Sequence, residues 1–390
     1  MTRLFINFLA ASAGGGLTYL RNVIPHLAAR PDVKVTVALS LRLEEEFRAY
    51  PNVEIVVLEA AAVRRTWYEQ AKLPHLIRKS RADVLVSAGN FALRKSPVPQ
   101  ILLSRNSLYT STDFYRDLLR RREYRFWLDT KLKGLVARRS IHWADVTVAP
   151  TEAFASDLRR WTGMPVRTIH HGFDHEAFRC DYSPLASEVE EKLRSAEGSV
   201  KLLFVSHYNY YRNFETLIRA LPLLRNRLPG RALKLLLTCK LAPGENPGAY
   251  QTAEAAKLVR DLEVDDMVIE LGAIPYQQLH QIYRRSNIYV TPAYTETFAH
   301  PLVEAMSSGL PVIASDLDVH QEICGDAALY FPRFSSEELV NRIVEIVSSP
   351  SIAAQVSANG LARSEAFSWD RHVSELVALS DSLISAARIK

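Results

Sequence analysis

Cysteine is scarce and long apolar runs are missing. Three cysteines, Cys180, Cys239 and Cys324, stand far apart in 390 residues. They are too few for a disulfide framework, and their spacing matches no thiolate metal site. Buried free thiols in a reducing cytoplasm are the expectation. No stretch approaches the roughly 18 successive apolar residues that cross a bilayer. Residues 1–10 are apolar enough to suggest a secretion signal, yet Asn7 interrupts them, only Arg3 supplies positive charge, and glycines follow at once. A buried first strand fits better. After that strand there is neither G-x-G-x-x-G spacing nor a P-loop lysine, so the dinucleotide and ATP fingerprints both fail.

What is present is an ordinary globular composition, 48% hydrophobic and 23% charged, over a length that suits about two domains. Charge is unevenly divided. Residues 1–175 hold 27 Lys and Arg against 16 Asp and Glu, a balance of +11; the rest holds 21 against 27, or −6, and the two make the net +5. A basic first half points to an anionic partner for that half only.

Short β-branched apolar runs alternate with longer helical patterns. Strands are expected at 4–8, 34–38, 53–58, 84–87, 100–103, 146–149 and 167–169, and again at 201–206, 233–238, 267–271, 288–291 and 311–314. Such alternation predicts an α/β fold of two doubly wound, parallel-sheet domains with helices on both faces. The polar stretch 180–199 breaks the pattern. The expected division is a basic domain 1–175, a linker 176–199, a second domain 200–370 and a last helix 371–390. Two such domains would bind a ligand in a cleft between the carboxyl ends of their strands.

The stretch 295–313 is the most informative. Glu296 and Glu304 stand eight positions apart, with Pro301 between them, Gly309 and Pro311 after them, and the β-rich run Val312-Ile313-Ala314-Ser315 beyond. Proline favours the first position of a helix and glycine its stop, so the expected order is loop, short helix, strand. Glu296 falls in the loop and Glu304 in the first helical turn. Free N–H groups at a helix start attract an anion. Two carboxylates that accept hydroxyl protons, beside a phosphate-sized anion hole, suit a sugar nucleotide.

This segment resembles the E-x7-E motif of the retaining nucleotide-sugar glycosyltransferases of family 4, which have the GT-B fold of two Rossmann-like domains facing across a cleft. The likeness extends to Glu304-Ala305-Met306 and Gly309-Leu310-Pro311-Val312. It implies that Glu296 lies by the donor sugar, that Glu304 holds the nucleotide ribose, and that Phe298, Ala299, His300 and Leu302 contact the donor. The family often reads Glu-Gly-Phe-Gly at the start, where this chain reads Glu296-Thr297-Phe298-Ala299. Two side chains thus replace glycines, which implies a narrower sugar pocket. The chain around Ser206-His207 and Arg212-Asn213 resembles the family's Gly-Arg…Lys-Gly segment, whose cations neutralise the donor diphosphate. The resemblance places Ser206 at the donor, His207 at the arginine position and Arg212 at the lysine position. Guanidinium is always charged and forks onto phosphate oxygens, whereas imidazole is a weaker, pH-dependent cation. Leaving-group stabilisation then rests mainly on Arg212, with a solvated arginine at a helix start as the alternative. Ile274, in 272–276, occupies the place where the family reads the nucleotide base by backbone.

The first half carries weaker signals. Gly14, Gly15 and Gly16 permit close backbone approach to a ligand; a tight turn without ligand is the alternative, and the resemblance favours Gly15 and Gly16 as donor contacts. Many family members place a histidine near the sugar after the strand at 100–103. This chain lacks it, leaving Arg105 and Asn106 as candidate sugar or acceptor contacts, or as a loop cap. His170-His171-Gly172-Phe173-Asp174 resembles the family's His-Gly-Val-Asp segment. Without further ligands nearby, the paired histidines are expected to be structural. In the GT-B fold the last helix often crosses back onto the first domain, and 371–387 has the place for it.

Over 115–139, Arg116, Arg120, Arg121, Arg122, Arg125, Lys131, Lys133, Arg138 and Arg139 alternate with Leu118, Leu119, Phe126, Trp127, Leu128, Leu132 and Leu135. A basic amphipathic helix of this kind rests on an anionic membrane or grips a lipid-diphosphate acceptor; a solvated surface helix is the alternative. No nucleic-acid motif accompanies the charge. The resemblance implies a cytoplasmic hexosyltransferase, peripheral at the inner membrane face through 115–139 if that helix binds lipid. No suitably placed D-x-D motif calls for a metal. The implied donor is a UDP- or GDP-sugar, with no further cofactor. The implied acceptor is a glycan, a lipid-linked sugar or a small molecule, in polysaccharide or glycolipid assembly. A non-catalytic sugar-nucleotide or lipid-binding module, an epimerase of the same fold and a two-carboxylate hydrolase are the alternatives.

Overall fold

The computed structural model describes residues 1–9, 15–58, 62–245 and 250–389. The chain divides into two compact units. One takes Met1–Ser111, Arg122–Gly172 and Ser368–Lys390; the other takes Thr112–Arg121 and Phe173–Phe367.

The first unit is built on seven strands: β1 (Thr2–Asn7), β2 (Val33–Leu39), β3 (Val53–Val57), β4 (Val84–Ser87), β5 (Gln100–Leu103), β6 (Val146–Ala149) and β7 (Val166–Thr168). They lie in the order β3-β2-β1-β4-β5-β6-β7, every pair parallel. Strand β1 shows why its sequence is apolar throughout rather than alternating. Leu4 and Ile6 join a cluster with Leu20, Val23 and Leu27 of the helix Gly15–Ala28 and with Trp369, Val373 and Leu376 of the helix Trp369–Ile389. Phe5 points to the opposite face, where it meets Leu73, Ile77 and Leu85. A parallel sheet covered on both faces needs apolar side chains at successive positions. The C-terminal helix therefore belongs to the core of the N-terminal sheet.

The chain touches itself where it leaves and re-enters this unit. A Cβ on Gly172 would lie 2.1 Å from the backbone nitrogen of Trp369, so only glycine fits there. His171 stacks on Trp369 with ring centres 5.7 Å apart. His372 donates from Nδ1 to the His170 carbonyl at 2.7 Å and accepts the Tyr19 hydroxyl on Nε2 at 2.7 Å. Burial pushes the His372 pKa down to about 4, which keeps the ring neutral and allows both bonds.

The second unit holds β8 (Val200–Phe204), β9 (Leu233–Leu237), β10 (Val268–Glu270), β11 (Ile288–Thr291), β12 (Val312–Ser315) and β13 (Ala328–Phe331). Their order is β10-β9-β8-β11-β12-β13, again all parallel. Strand β13 is absent from the sequence expectations. It is a four-residue edge strand, Ala328–Phe331, close behind Gly325 and Asp326.

Three sequence expectations are corrected here. The stretch 176–199 is folded rather than a linker. It contains the end of the helix His175–Arg179 and the helix Ser187–Ser195, and it buries Phe178, Leu185, Val189 and Leu193; its polarity belongs to the outer faces of those helices. The basic stretch 115–139 is not one helix. It breaks at 121–123, where Arg122 has φ +60°, into the helix Thr112–Arg120, which packs in the second unit, and the helix Tyr124–Trp143, which packs in the first. The first piece is held by Arg121, whose side chain is only 4% exposed and pairs with Asp117 at 2.9 Å, Glu215 at 2.8 Å and Glu254. Finally, Cys239 and Cys324 are buried, with thiols pushed up to about 12 by burial, but Cys180 is exposed, because it follows a helix end on the surface.

Candidate active site in the second unit

The sheet of the second unit reverses direction between two neighbours. From β8 the chain moves outward through β9 and β10; it returns beside β8 as β11 and moves the other way through β12 and β13. Loops leaving β8 and β11 diverge at such a switch point and leave room for a ligand at the strand ends. The β8 loop runs through Ser206 and His207 to the 3-10 turn Tyr210–Arg212. The β11 loop carries Glu296 and leads into the helix His300–Ser307. Asn213 ties them together: its side-chain amide donates to the Pro292 carbonyl at 3.1 Å and to the Arg333 carbonyl at 2.6 Å. Its left-handed backbone, φ +57°, turns the chain from the 3-10 turn into the helix Phe214–Arg227.

Arg212 and Glu296 meet in an ion pair, both largely buried. Burial opposes the charge on Arg212, but the adjacent Glu296 carboxylate more than offsets this and raises the guanidinium pKa above its ordinary value. The Arg212 Nε is buried without a hydrogen-bond partner, so this cation has donor capacity left over. Glu296 also accepts from the Thr297 N–H at 3.2 Å. Behind the loop lies His320, fully buried. Its Nδ1 is 3.0 Å from the Ser315 hydroxyl, which in turn donates to the Ala293 carbonyl at 2.5 Å. Burial pushes the His320 pKa down to about 4.

Glu304 sits in the second turn of its helix rather than the first, because the helix begins at His300, one residue before Pro301. It is 4% exposed and accepts the Tyr283 hydroxyl at 2.8 Å. Burial pushes its pKa up to about 7, only partly countered by that hydrogen bond. No side chain caps the helix start; Pro301 has no N–H to give, and the Leu302 N–H donates to the Ala299 carbonyl at 2.9 Å. Ala299 stands at the cap with φ +63° and ψ +62°, a left-handed conformation that glycine adopts freely and alanine does not. Phe298 is buried edge-on against Phe367, ring centres 5.4 Å apart, and Leu302 is wholly buried. Phe298, His300 and Leu302 thus shape the turn; His300 packs on Phe298 at 4.8 Å.

The other expected residues are spread more widely. The Ser206 hydroxyl donates to the His207 carbonyl at 2.6 Å, and the His207 side chain is exposed. Ile274 is half-buried two residues beyond Gly272, whose φ is +81°. In the first unit, Gly15 and Gly16 begin a helix at the carboxyl end of β1, where that sheet reverses between β1 and β4; Gly14 lies outside the described residues. Arg105 is packed inside that unit, its guanidinium 4.4 Å from the Tyr19 ring centre and donating to the Ala88 carbonyl at 2.6 Å. Asn106 caps the 3-10 turn Ser107–Tyr109 through the Leu108 N–H.

Sequence reasoning missed Tyr283, His320 and Asn213. Tyr283 and His320 look like ordinary members of amphipathic helices, and nothing local marks an aromatic hydroxyl as the partner of a carboxylate 21 residues away. Asn213 is readable in principle, since asparagine enters the left-handed region more readily than other residues with a side chain.

Comparison with known proteins follows the same division. Residues 186–363 match the family model described as glycosyl transferases group 1, and residues 13–177 match that of Glycosyltransferase Family 4. The chain is 26% identical over 253 residues to a D-inositol 3-phosphate glycosyltransferase of Saccharomonospora viridis, covering 63% of this chain and 57% of that one. It is 30% identical over 107 residues to the O-antigen chain mannosyltransferase B of Escherichia coli, covering 27% and 28%. The matched part of the inositol-phosphate enzyme is thus little more than half its length. Among solved structures, sucrose-phosphate synthase from Thermosynechococcus elongatus has a TM-score of 0.76 at 20% identity, over 99% of this chain and all of that one. Anabaena HepE in complex with UDP-glucose has 0.72 at 17%, over 98% and 100%. With two parallel-sheet units, a Family 4 domain followed by a group 1 domain and neighbours of the same architecture, the chain belongs to the family 4 glycosyltransferases of the GT-B fold.

Proposed function

We propose that the protein transfers a hexose from a nucleoside-diphosphate sugar to an acceptor hydroxyl, with retention at the anomeric carbon. The observation that carries the reading is the meeting of Arg212 and Glu296 at one strand crossover, on the loop that leads into an uncapped helix bearing the buried Glu304. In transfer, the bond from the anomeric carbon to the diphosphate oxygen breaks and its electron pair goes to the diphosphate, while the acceptor oxygen bonds to the anomeric carbon and its proton passes to the departing diphosphate. Positive charge at the phosphates therefore lowers the barrier. Arg212 is the assigned cation. Its resting partner Glu296 offers one negative charge, whereas a diphosphate offers more and accepts a guanidinium fork, so the donor displaces the carboxylate. Glu296 is then released to a sugar hydroxyl. The positive end of the helix His300–Ser307 favours a phosphate beside it, and Glu304, oriented by Tyr283, accepts ribose hydroxyls. Charge neutralisation in this scheme calls for no divalent ion. UDP-glucose, named with the Anabaena neighbour, is the first donor to try, and a mannosyl donor the second. An inositol phosphate is a suitable first acceptor, since its charge complements the basic first half.

The test is release of nucleoside diphosphate by the full chain across a panel of donors and acceptors. Arg212→Ala should lower turnover at least about 100-fold, and Glu304→Ala should weaken nucleotide binding. Tight nucleotide binding without turnover for any pair would make the protein a binding module, and a product of inverted anomeric configuration would overturn retention.

A further inference from the structure

We infer that the helix Tyr124–Trp143 docks the protein on an anionic lipid surface. This helix is inverted relative to an ordinary surface helix. Its buried positions are Thr130, Gly134, Ala137, Ser140 and Ile141, mostly small. Its large apolar residues face solvent instead: Tyr124 is 60% exposed, Leu128 and Leu132 54%, Leu135 60% and Val136 42%. At 100° per residue these five fall within one third of the circumference. The ridge they form runs about 18 Å along the axis.

Basic residues interleave with and flank this ridge, Arg125 and Arg139 within its arc and Lys131 and Arg138 just outside it. Arg125, Arg138 and Arg139 are exposed and have no ion-pair partner among the described residues. Lys131 lies 5.5 Å from the Trp127 ring centre, and Lys133 pairs with Asp129, the one acid within the helix. The local balance of five cations against one anion selects the occupant. A second copy of this chain would set two positive rims against each other, and like charges repel. An anionic bilayer accepts both features, the ridge entering the headgroup boundary and the cations staying among the phosphates. Such attachment is peripheral, since no helix among the described residues is long and apolar enough to cross a membrane. The helix Thr112–Arg120 takes no part, because it packs in the other unit.

Flotation of the full chain with vesicles tests this without reference to turnover, so it stands or falls apart from the transferase reading. The protein should float with phosphatidylcholine vesicles containing phosphatidylglycerol, stay behind with phosphatidylcholine alone, and release as salt is raised. Leu128→Glu with Leu132→Glu should cut the bound fraction at least about 10-fold. Both side chains are exposed, so an unchanged melting curve is expected and separates lost binding from lost folding. Arg138→Glu with Arg139→Glu should weaken binding and flatten its salt dependence. Failure to float with anionic vesicles overturns the proposal, as does flotation indifferent to the leucine pair. Conversion of a dimer to a monomer by the leucine pair, with flotation unchanged, overturns it in favour of self-association.

Discussion

Glu304→Gln probes the site through folding stability and predicts opposite changes in stability and binding. The carboxyl is 4% exposed, and burial carries its pKa from an ordinary value of 4.5 to about 7. A group whose folded pKa is raised holds its proton more tightly in the native state, so stability falls as pH rises between the unfolded and folded values. The window is therefore about pH 4.5 to about pH 7, and above it the full cost is present. At 1.36 kcal/mol per unit, a rise of 2.5 units costs about 3 kcal/mol at alkaline pH. Only about 1 kcal/mol of that is felt near pH 5, about half a unit above the unfolded pKa, where the folded carboxyl still holds its proton. Glutamine keeps an acceptor for the Tyr283 hydroxyl and cannot ionise. Urea unfolding of the full chain should thus show the variant gaining about 2 kcal/mol on the natural protein between pH 5 and pH 8. Nucleotide affinity should fall in the same variant, since an amide offers ribose hydroxyls one acceptor in place of two. A stability difference that stays flat with pH would refute the reasoning, because the carboxyl would then be ionised and solvated in the fold.

Other substitutions test separate parts of the argument. Ala299→Gly relieves a left-handed alanine and should stabilise the second unit by about 1 kcal/mol in a thermal melt; a loss of stability would mean that the methyl group packs usefully. Tyr283→Phe leaves the buried Glu304 without its donor, which should cost about 1–3 kcal/mol and weaken nucleotide binding in calorimetry. Arg121→Ala strands Asp117 and Glu215 at buried positions and should destabilise the second unit by about 3–5 kcal/mol in denaturant. Gly172→Ala drives a methyl into the Trp369 backbone; a loss of at least about 2 kcal/mol is expected, seen as a lowered melting temperature or insoluble protein.

Much of the fold is legible in the sequence because parallel strands buried on both faces must be apolar throughout, and such runs between helical patterns can be counted. The loop, helix and strand around Glu296 and Glu304 are equally legible, since proline and glycine mark the helix ends. What escapes is long-range pairing. Arg121 looks like one more cation in a basic run, yet it is a buried tie within the second unit, fixed by Glu215 and Glu254 more than 90 residues on. The same run hides a change of unit at Arg122, which only a backbone angle reveals. Glu304 reads as an acid near a helix start; that it is sealed beneath Tyr283 depends on how two helices pack. Ala299 is the intermediate case. Its departure from the glycine common in related sequences is visible, but its strain is a property of the fold.

The helix Trp369–Ile389 has a temporal meaning as well as a spatial one. A ribosome releases the seven strands of the first unit early, but the helix that covers one face of β1 emerges only after the second unit. Until then Leu4, Ile6 and their neighbours lack part of their cover. The unit made first is the one finished last, and the second unit has its whole chain available before the first can close.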